Sequence, residues 1–204
     1  MKKTNLFLRV TIIFIFYSFT NIHSQTIAIG SQVWSKKNLD VSTFRNGDII
    51  PEAKTNAEWA QAGANKSPAW CYYNNDPAMG IKYGKLYNWY AANDPRGLVP
   101  KGYHIPNYNE WLILVNFTGD NRAPKLKATS GWKASGNGTN VTGFTGLPGG
   151  LRYGDGAFYY VGDVCCFWSS TEEYGDAKYL ELSFSLTYYP SNKGRGLSIR
   201  CLKD

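Results

Sequence analysis

The stretch from Gly143 to Gly162 constrains the fold most, because it holds seven glycines in twenty residues, "GFTGLPGGLRYGDGAFYYVG". Glycine weakens helices and strand interiors and is favoured where the backbone must turn or take a positive φ. The stretch therefore predicts turns and short strands. The rest of the chain is also rich in Gly, Tyr, Trp and Asn and rather poor in charge, a composition that favours many short elements over a helical bundle.

Several segments alternate like strands. "TIAIGSQVWSKKNL" alternates around Gly30-Ser31, and "VSTFRNGDII" does so around Asn46-Gly47, a dipeptide well suited to a tight hairpin turn. "KYLELSFSLTYY" and "LSIRCL" are separated by the turn-rich "PSNKGRG". We expect hairpins at the first two sites, and a final antiparallel hairpin formed by the last two segments.

Helix signals lie between these strands. Thr55 and Glu58 have capping-box spacing, and Asn107 and Glu110 repeat it before an apolar stripe. "RAPKLKATSGW" favours a short helical turn. A longer amphipathic helix is predicted from the i, i+3, i+4, i+7, i+8 pattern of Tyr83, Leu86, Tyr87, Tyr90 and Ala91. Strands at both ends with helices between them indicate an α+β domain.

The first 24 residues have the anatomy of a secretory signal peptide, with a basic start at Lys2-Lys3, an apolar run and a small residue at Ser24. We predict a secreted or cell-surface protein with one domain over residues 25–204. The apolar run is shorter than the roughly 20 residues that span a bilayer, so no stable membrane span is expected after cleavage. The remaining 19 basic and 15 acidic residues are scattered, which disfavours a nucleic-acid partner.

Seven blocks of the chain resemble, in order, the Fibrobacter succinogenes major paralogous domain family. The blocks are "IGSQVWSKKNLDVSTFRNGDIIP", "AWCYYNNDPA", "YGKLYNWYAA", "PKGYHIPNYNEW", "GFTGLPGGLRYGDGAFYYVG", "FWSSTE" and "GLSIRCLKD". The resemblance runs from about Ile27 to Asp204. It implies a distant relationship to C-type lectin-like folds and formylglycine-generating enzymes, with two main helices packed on a twisted, irregular, mostly antiparallel sheet with long loops.

The resemblance also bears on activity and on the cysteines. Formylglycine-generating enzymes use a cysteine pair near the carboxyl terminus, but only Cys201 lies in that region here, which disfavours a divergent oxidase. In the family a cysteine often precedes the block that contains His104, and here that position is Val99. We therefore expect one disulfide between Cys201 and either Cys71 or one of Cys165 and Cys166, with at least one buried free thiol.

The chain has little other catalytic or metal-binding equipment. His104 is the only histidine after the predicted signal peptide and, without a triad signature, is interpreted as structural. Zinc needs three or four converging ligands, which are not evident. Asn74-Asn75-Asp76 and Gly154–Gly156 offer oxygens for calcium, but the same residues are typical of turns. We expect no cofactor and no catalytic activity.

Aromatic and polar residues in the later loops are suited to glycan recognition, since sugar rings stack on aromatic faces and their hydroxyls need polar partners. We predict a non-enzymatic binding module for a glycan or an extracellular protein. A structural or adhesive surface component without a small-ligand site is the alternative. The candidate ligand-binding residues are Arg152, Tyr153, Asp155, Tyr159, Tyr188, Asn192 and Arg195.

Overall fold

The computed structural model describes residues 25–183 and 186–204, without the side chains of residues 186–188. The predicted signal peptide lies outside these residues. The described chain is a mixture of short helices and small antiparallel sheets. The helices are α1 (Asn56–Ala64), α2 (Pro77–Tyr83), α3 (Trp89–Ala92), α4 (Tyr108–Phe117) and α5 (Arg122–Leu126). The strands are β1 (Thr26–Ile29), β2 (Gln32–Ser35), β3 (Trp70–Cys71), β4 (Leu86–Tyr87), β5 (Tyr103–His104), β6 (Leu151–Arg152), β7 (Phe158–Tyr159), β8 (Cys165–Glu173), β9 (Asp176–Leu182), β10 (Leu186–Ser191) and β11 (Leu202–Lys203).

The strands form four sheets. One sheet has the order β1-β2-β11-β5, a second has the order β10-β9-β8, and β3-β4 and β6-β7 are two-stranded. All strand pairs within these sheets are antiparallel. The segment before β11 connects them, because Gly196, Leu197 and Ser198 form single bridges to three other segments.

The capping predictions are confirmed. The Thr55 hydroxyl accepts from the Glu58 amide and the Glu58 carboxylate accepts in return from the Thr55 amide, so α1 begins with a full capping box. Asn107 and Glu110 form a second box at α4. Each box satisfies backbone donors that the first helical turn would otherwise leave unpaired. The predicted first hairpin (β1–β2) and the short helix α5 are also confirmed.

The predicted helix from Tyr83 to Ala91 is wrong. The helix α2 ends at Tyr83, and Gly84 takes a φ of +73° at a position where a Cβ would come within 2.8 Å of the Leu39 carbonyl oxygen. Leu86 and Tyr87 then form β4, and the Tyr87 hydroxyl bonds both backbone groups of Val41 at 2.7 and 2.8 Å. The positive φ of Gly84 and the hydrogen bonds between Tyr87 and Val41 therefore prevent the helix that the periodicity of this segment predicts.

Two hairpin predictions also need correction. The strand β9 pairs with β10, with Leu182 opposite Leu186, rather than with the segment around Cys201. The carboxyl-terminal strand β11 pairs with β2 and β5 instead. At Asn46-Gly47 the turn forms, but only one antiparallel bridge, Thr43–Ile49, accompanies it.

The interior is aromatic and is held by two buried arginines. Trp34, Trp111, Phe144 and Phe167 lie in mutual ring contact in one cluster, with centroids 4.7–6.1 Å apart. Arg200, 1% exposed, donates to the carbonyls of Phe144 and Ser35 and to the Asn38 side chain. Such bonds compensate the cost of burying a guanidinium.

Among the described residues, no helix is both long and apolar enough to cross a membrane.

Candidate functional site

A cleft of about 470 Å³ opens on one face of the β10-β9-β8 sheet, beside the β6–β7 hairpin. Its aliphatic lining residues are Leu151, Val164 and Pro190. The side chains that give the cleft its chemistry are Tyr153, Tyr160, Tyr179, Glu181, Tyr189 and Arg195. The cleft therefore brings the glycine-rich loop and the segment from residue 189 to residue 195 together.

The sheet supplies one wall of the cleft. Tyr179 and Glu181 are two residues apart on β9 and so project from the same face of the sheet. Tyr189 lies opposite Tyr179 in the β9–β10 register, and their ring centroids are 5.7 Å apart. Trp168 is the partner of Tyr179 on β8, is wholly buried, and lies beside it on the same face of the sheet, in edge contact with its ring. This contact supports the position of the Tyr179 ring.

The β6–β7 hairpin supplies the other wall. Gly156 turns the hairpin with a φ of +94° and lies against Asn56, where a Cβ would come within 2.4 Å of the Asn56 Cα. The rings of Tyr153 and Tyr159 are 4.7 Å apart, and those of Tyr159 and Tyr160 are 5.7 Å apart. Three tyrosines thus form a continuous aromatic edge.

Tyr160 lies outside the strand alternation. Regular strand alternation would place Phe158 and Tyr160 on one face, but β7 ends at Tyr159 and Tyr160 takes a φ of +63°. The turn sends Phe158 against Tyr73, with centroids 5.2 Å apart, and leaves Tyr160 half exposed at the cleft. A hydrogen-bonding interaction with Tyr160, and then burial, raises the pKa of Tyr153.

Two opposite charges share the cleft. The Arg195 guanidinium lies 4.6 Å from the centroid of the Tyr153 ring, and within residues 25–183 and 186–204 it makes no side-chain hydrogen bond or ion pair. The Glu181 carboxylate lies 4.0 Å from the thiol sulfur of buried Cys166, and no cation of the described chain pairs with it. Both groups therefore keep hydrogen-bonding capacity for another molecule.

Arg152 lies beneath the cleft rather than in it. Its side chain is 0% exposed and donates to the carbonyls of Ala53, Thr55 and Gly156 at 2.8–2.9 Å. The guanidinium also lies over the rings of Trp59 and Phe158. All three of its nitrogens donate to groups within the protein, so its role here is to tie the β6–β7 hairpin to the start of α1.

The remaining candidate ligand residues do not line the cleft, or have a side chain outside the described part of the chain. Asp155 accepts from the Ala157 amide and Asn192 from the Gly194 amide, so both stabilise exposed turns. Tyr159 is exposed on the rim. The side chain of Tyr188 is outside the described part of the chain. Tyr179, Glu181 and the pairing of Tyr189 were missed because only the β9–β10 register places them at the cleft.

The expected disulfide is not supported, because all four cysteines are buried free thiols. Cys165 and Cys166 lie on opposite faces of β8, in different hydrophobic clusters, while Cys71 belongs to a third. Cys201 shares a cluster with Cys166 but is not bonded to it. Burial raises the pKa of Cys71, Cys165 and Cys201 to about 12, which suppresses the reactive thiolate.

His104 joins two elements. One ring nitrogen bonds the Asp204 carboxylate at 2.7 Å and the other bonds Glu110 at 2.9 Å. Burial lowers the pKa of His104, but these hydrogen bonds outweigh it and raise the pKa above its ordinary value. The ring therefore ties the carboxyl-terminal segment to the first turn of α4.

The loops considered for calcium are occupied by turn bonds. Asn75 donates to the Lys54 carbonyl at 2.7 Å, and Asp76 accepts from the Ala78 amide as the N-cap of α2. In the part of the chain that the structure describes, no three His, Cys, Asp or Glu side chains converge as metal ligands would.

Comparison with known proteins identifies a family. The model of the Fibrobacter succinogenes major domain matches residues 27–203, almost the full length of the chain. No curated protein and no solved structure matches it.

Proposed function

This chain belongs to the Fibrobacter succinogenes major domain family, and within that family we propose that it is a non-enzymatic module that binds a glycan in the tyrosine cleft. The observation that carries the proposal is the cleft itself. Four tyrosines line a concave surface that also contains one carboxylate and one guanidinium without internal ion-pair partners.

The chemistry of the cleft suits a sugar. Its volume of about 470 Å³ lies within the roughly 300–1,000 Å³ of small-molecule sites, which combine apolar walls with a few placed polar groups. The flat faces of the tyrosine rings can cover the apolar C–H faces of a sugar ring. Glu181 accepts hydrogen bonds, Arg195 donates them, and the tyrosine hydroxyls do both.

The packing of the cleft tyrosines supports binding without rearrangement. Tyr179 packs against buried Trp168, whose indole nitrogen donates to the Tyr87 carbonyl at 2.7 Å. Tyr153 is held by Tyr159 on one side and by Arg195 on the other. A preorganised aromatic surface spends less of the binding free energy on ordering its side chains.

We also propose export through a cleaved signal peptide over residues 1–24, and a C-type lectin-like form of the fold. The second proposal is supported by β11, which pairs with β2 of the amino-terminal hairpin, and by the Gln25 and Cys201 carbonyls, which accept from neighbouring amides at Lys36 and Ser35. Both ends of the described chain therefore meet in one sheet. An experimental structure and amino-terminal sequencing of the exported protein test these two proposals.

The non-enzymatic part of the proposal is supported by the placement of the thiols. An oxidase of the formylglycine-generating type would need a pair of accessible sulfurs, whereas the four cysteines are buried, unpaired and have raised pKa values. Copper(I) titration tests this: uptake of one equivalent, together with oxygen consumption, would overturn it.

Glycan binding is tested by polysaccharide pull-down and array binding with the protein from residue 25 onward. Tyr160→Ala and Tyr189→Ala should each weaken binding by about tenfold, corresponding to roughly 1.4 kcal/mol per lost stacking contact. Tyr174→Ala is the matched control, because Tyr174 is fully exposed in the β8–β9 turn and does not line the cleft. Equal losses of glycan affinity in all three variants would contradict the proposal. Binding to a protein but to no glycan would contradict it too.

A further inference from the structure

We propose that the cleft selects an uncharged sugar, whose neighbouring hydroxyls bridge the Glu181 carboxylate and the Arg195 guanidinium. This inference rests on the proposed glycan binding and adds the class of sugar. It follows from the way the two charges are arranged.

Glu181 and Arg195 act on the same small region from different segments of the chain. Glu181 projects from β9, and Arg195 lies in the loop that follows β10. Both line the cleft, and both influence Tyr179: burial is the main cause of its raised pKa, Glu181 adds to it and Arg195 opposes it. Cys166, which lies opposite Glu181 in the β8–β9 register, is influenced in the same opposed way. The two charges thus flank one site.

The two charges do not neutralise each other by contact. In the described residues no ion pair or hydrogen bond joins them, and the guanidinium lies over the Tyr153 ring instead. A partly buried carboxylate and a partly buried, unpaired guanidinium line the same cleft, so the cleft offers both a hydrogen-bond acceptor and hydrogen-bond donors. This combination fits a group that both donates and accepts.

Adjacent hydroxyls of a sugar satisfy this requirement. One hydroxyl donates to the carboxylate while its neighbour accepts from the guanidinium, and each bond gains strength from the charge of the protein group. The tyrosines hold the ring that carries these hydroxyls. No proton transfer or bond cleavage is involved.

The same arrangement disfavours charged sugars. A uronate or sulfate group near Arg195 would also meet the negative field of Glu181, and the ammonium of an amino sugar near Glu181 would meet Arg195. Either ligand would leave one protein charge desolvated without a partner, which is costly in a partly buried site. An uncharged ring avoids both penalties.

Affinity electrophoresis with three groups of immobilised polysaccharides tests the inference. The neutral group is glucan, mannan, galactan and xylan, the acidic group is polygalacturonate and alginate, and the basic group is chitosan. The wild-type protein should bind at least one neutral polymer, and all acidic and basic polymers about tenfold more weakly or not at all. Neutral binding should change less than about twofold between 0.05 and 0.5 M NaCl, because no ligand charge is screened.

Two variants, each lacking one of the two charges, test the role of Glu181 and of Arg195 separately. Glu181→Gln keeps the shape and an acceptor oxygen, so it should retain neutral binding within several-fold while gaining affinity for the acidic polymers. Arg195→Gln removes the guanidinium and should gain affinity for chitosan. Urea midpoints for both variants should match the wild type, and Tyr174→Ala again serves as the control.

The outcomes separate the inference from the function on which it rests. Preferential binding of an acidic or basic polymer by the wild-type protein would overturn the inference and leave glycan binding intact. Unchanged charge preference in both variants, while neutral binding persists, would also overturn it. Failure to bind any polymer would overturn the proposed function and the inference with it.

Discussion

Replacement of Arg152 by alanine is expected to destabilise the fold strongly, although a guanidinium in an aromatic loop is an attractive ligand-binding candidate. The side chain is 0% exposed, and its donors are divided among three backbone carbonyls and, weakly, the Asn56 side chain. Truncation would leave those carbonyls facing a cavity between Trp59 and Phe158.

The magnitude follows from the acceptors that would lose their partner. The Thr55 carbonyl keeps a second donor, the Trp59 amide, at 3.1 Å, so the Ala53 and Gly156 carbonyls carry most of the loss. A buried carbonyl without a partner costs about 1–3 kcal/mol, and the lost packing of the guanidinium adds to this. We expect Arg152→Ala to lower the free energy of unfolding by about 3–5 kcal/mol.

Urea denaturation followed by tryptophan fluorescence measures this change as a shift in midpoint at constant slope. Arg152→Lys keeps the charge but cannot reach all three carbonyls, so it should lose about half as much. Arg195→Ala is the matched control: its guanidinium makes no hydrogen bond in the described residues, and the loss should stay within about 0.5 kcal/mol. If Arg152→Ala lowered the free energy of unfolding by less than about 0.5 kcal/mol, or if Arg152→Ala and Arg195→Ala lowered it equally, the reasoning would be refuted.

Three further predictions concern other parts of the fold. Because the pKa of His104 is raised in the folded protein, its ion pairs stabilise the fold fully below the unfolded pKa of about 6.5 and less as pH rises through the folded pKa. The free energy of unfolding should therefore fall from pH 6 to pH 8 in the wild type and much less in His104→Gln. Parallel pH profiles of the two proteins would contradict this. A thiol reagent at pH 8 should label none of the four cysteines in the native protein and all four in urea without reductant, whereas two missing thiols would reveal a disulfide. Asn107→Ala removes a capping box and should cost about 1 kcal/mol in urea denaturation, while Asn107→Asp should restore most of it.

Local capping chemistry was predictable because the bonds involved span only three residues. Thr55 with Glu58, and Asn107 with Glu110, define helix starts through their own side chains and backbone. The segment after Tyr83 was not predictable in this way. Its conformation depends on the close approach of Gly84 to the Leu39 carbonyl and on the hydrogen bonds of the Tyr87 hydroxyl to Val41. Neither contact produces a periodic pattern in the sequence.

The cleft was predictable only in part. Of the candidate residues, Tyr153 and Arg195 line the cleft, and aromatic and polar residues crowd the two glycine-containing loops that carry them. Glu181 and Tyr179, in contrast, lie on a strand that alternation alone could assign to either face. The register with β10 decides their position. Arg152 was misassigned for a related reason: residue type suggests an exposed donor, and only the packing of α1 against the β6–β7 hairpin encloses it.

The adjacent cysteines connect the core to the cleft. Because successive residues of a strand face opposite sides of a sheet, Cys165 packs into the cluster of Trp111 and Phe167, while Cys166 lies opposite Glu181 in the β8–β9 register. Cys166 is a small side chain beside the carboxylate, and a thiol is a weak donor that does not compete strongly for the carboxylate oxygens. The pair thus serves packing on one face, and on the other it leaves Glu181 available to a ligand.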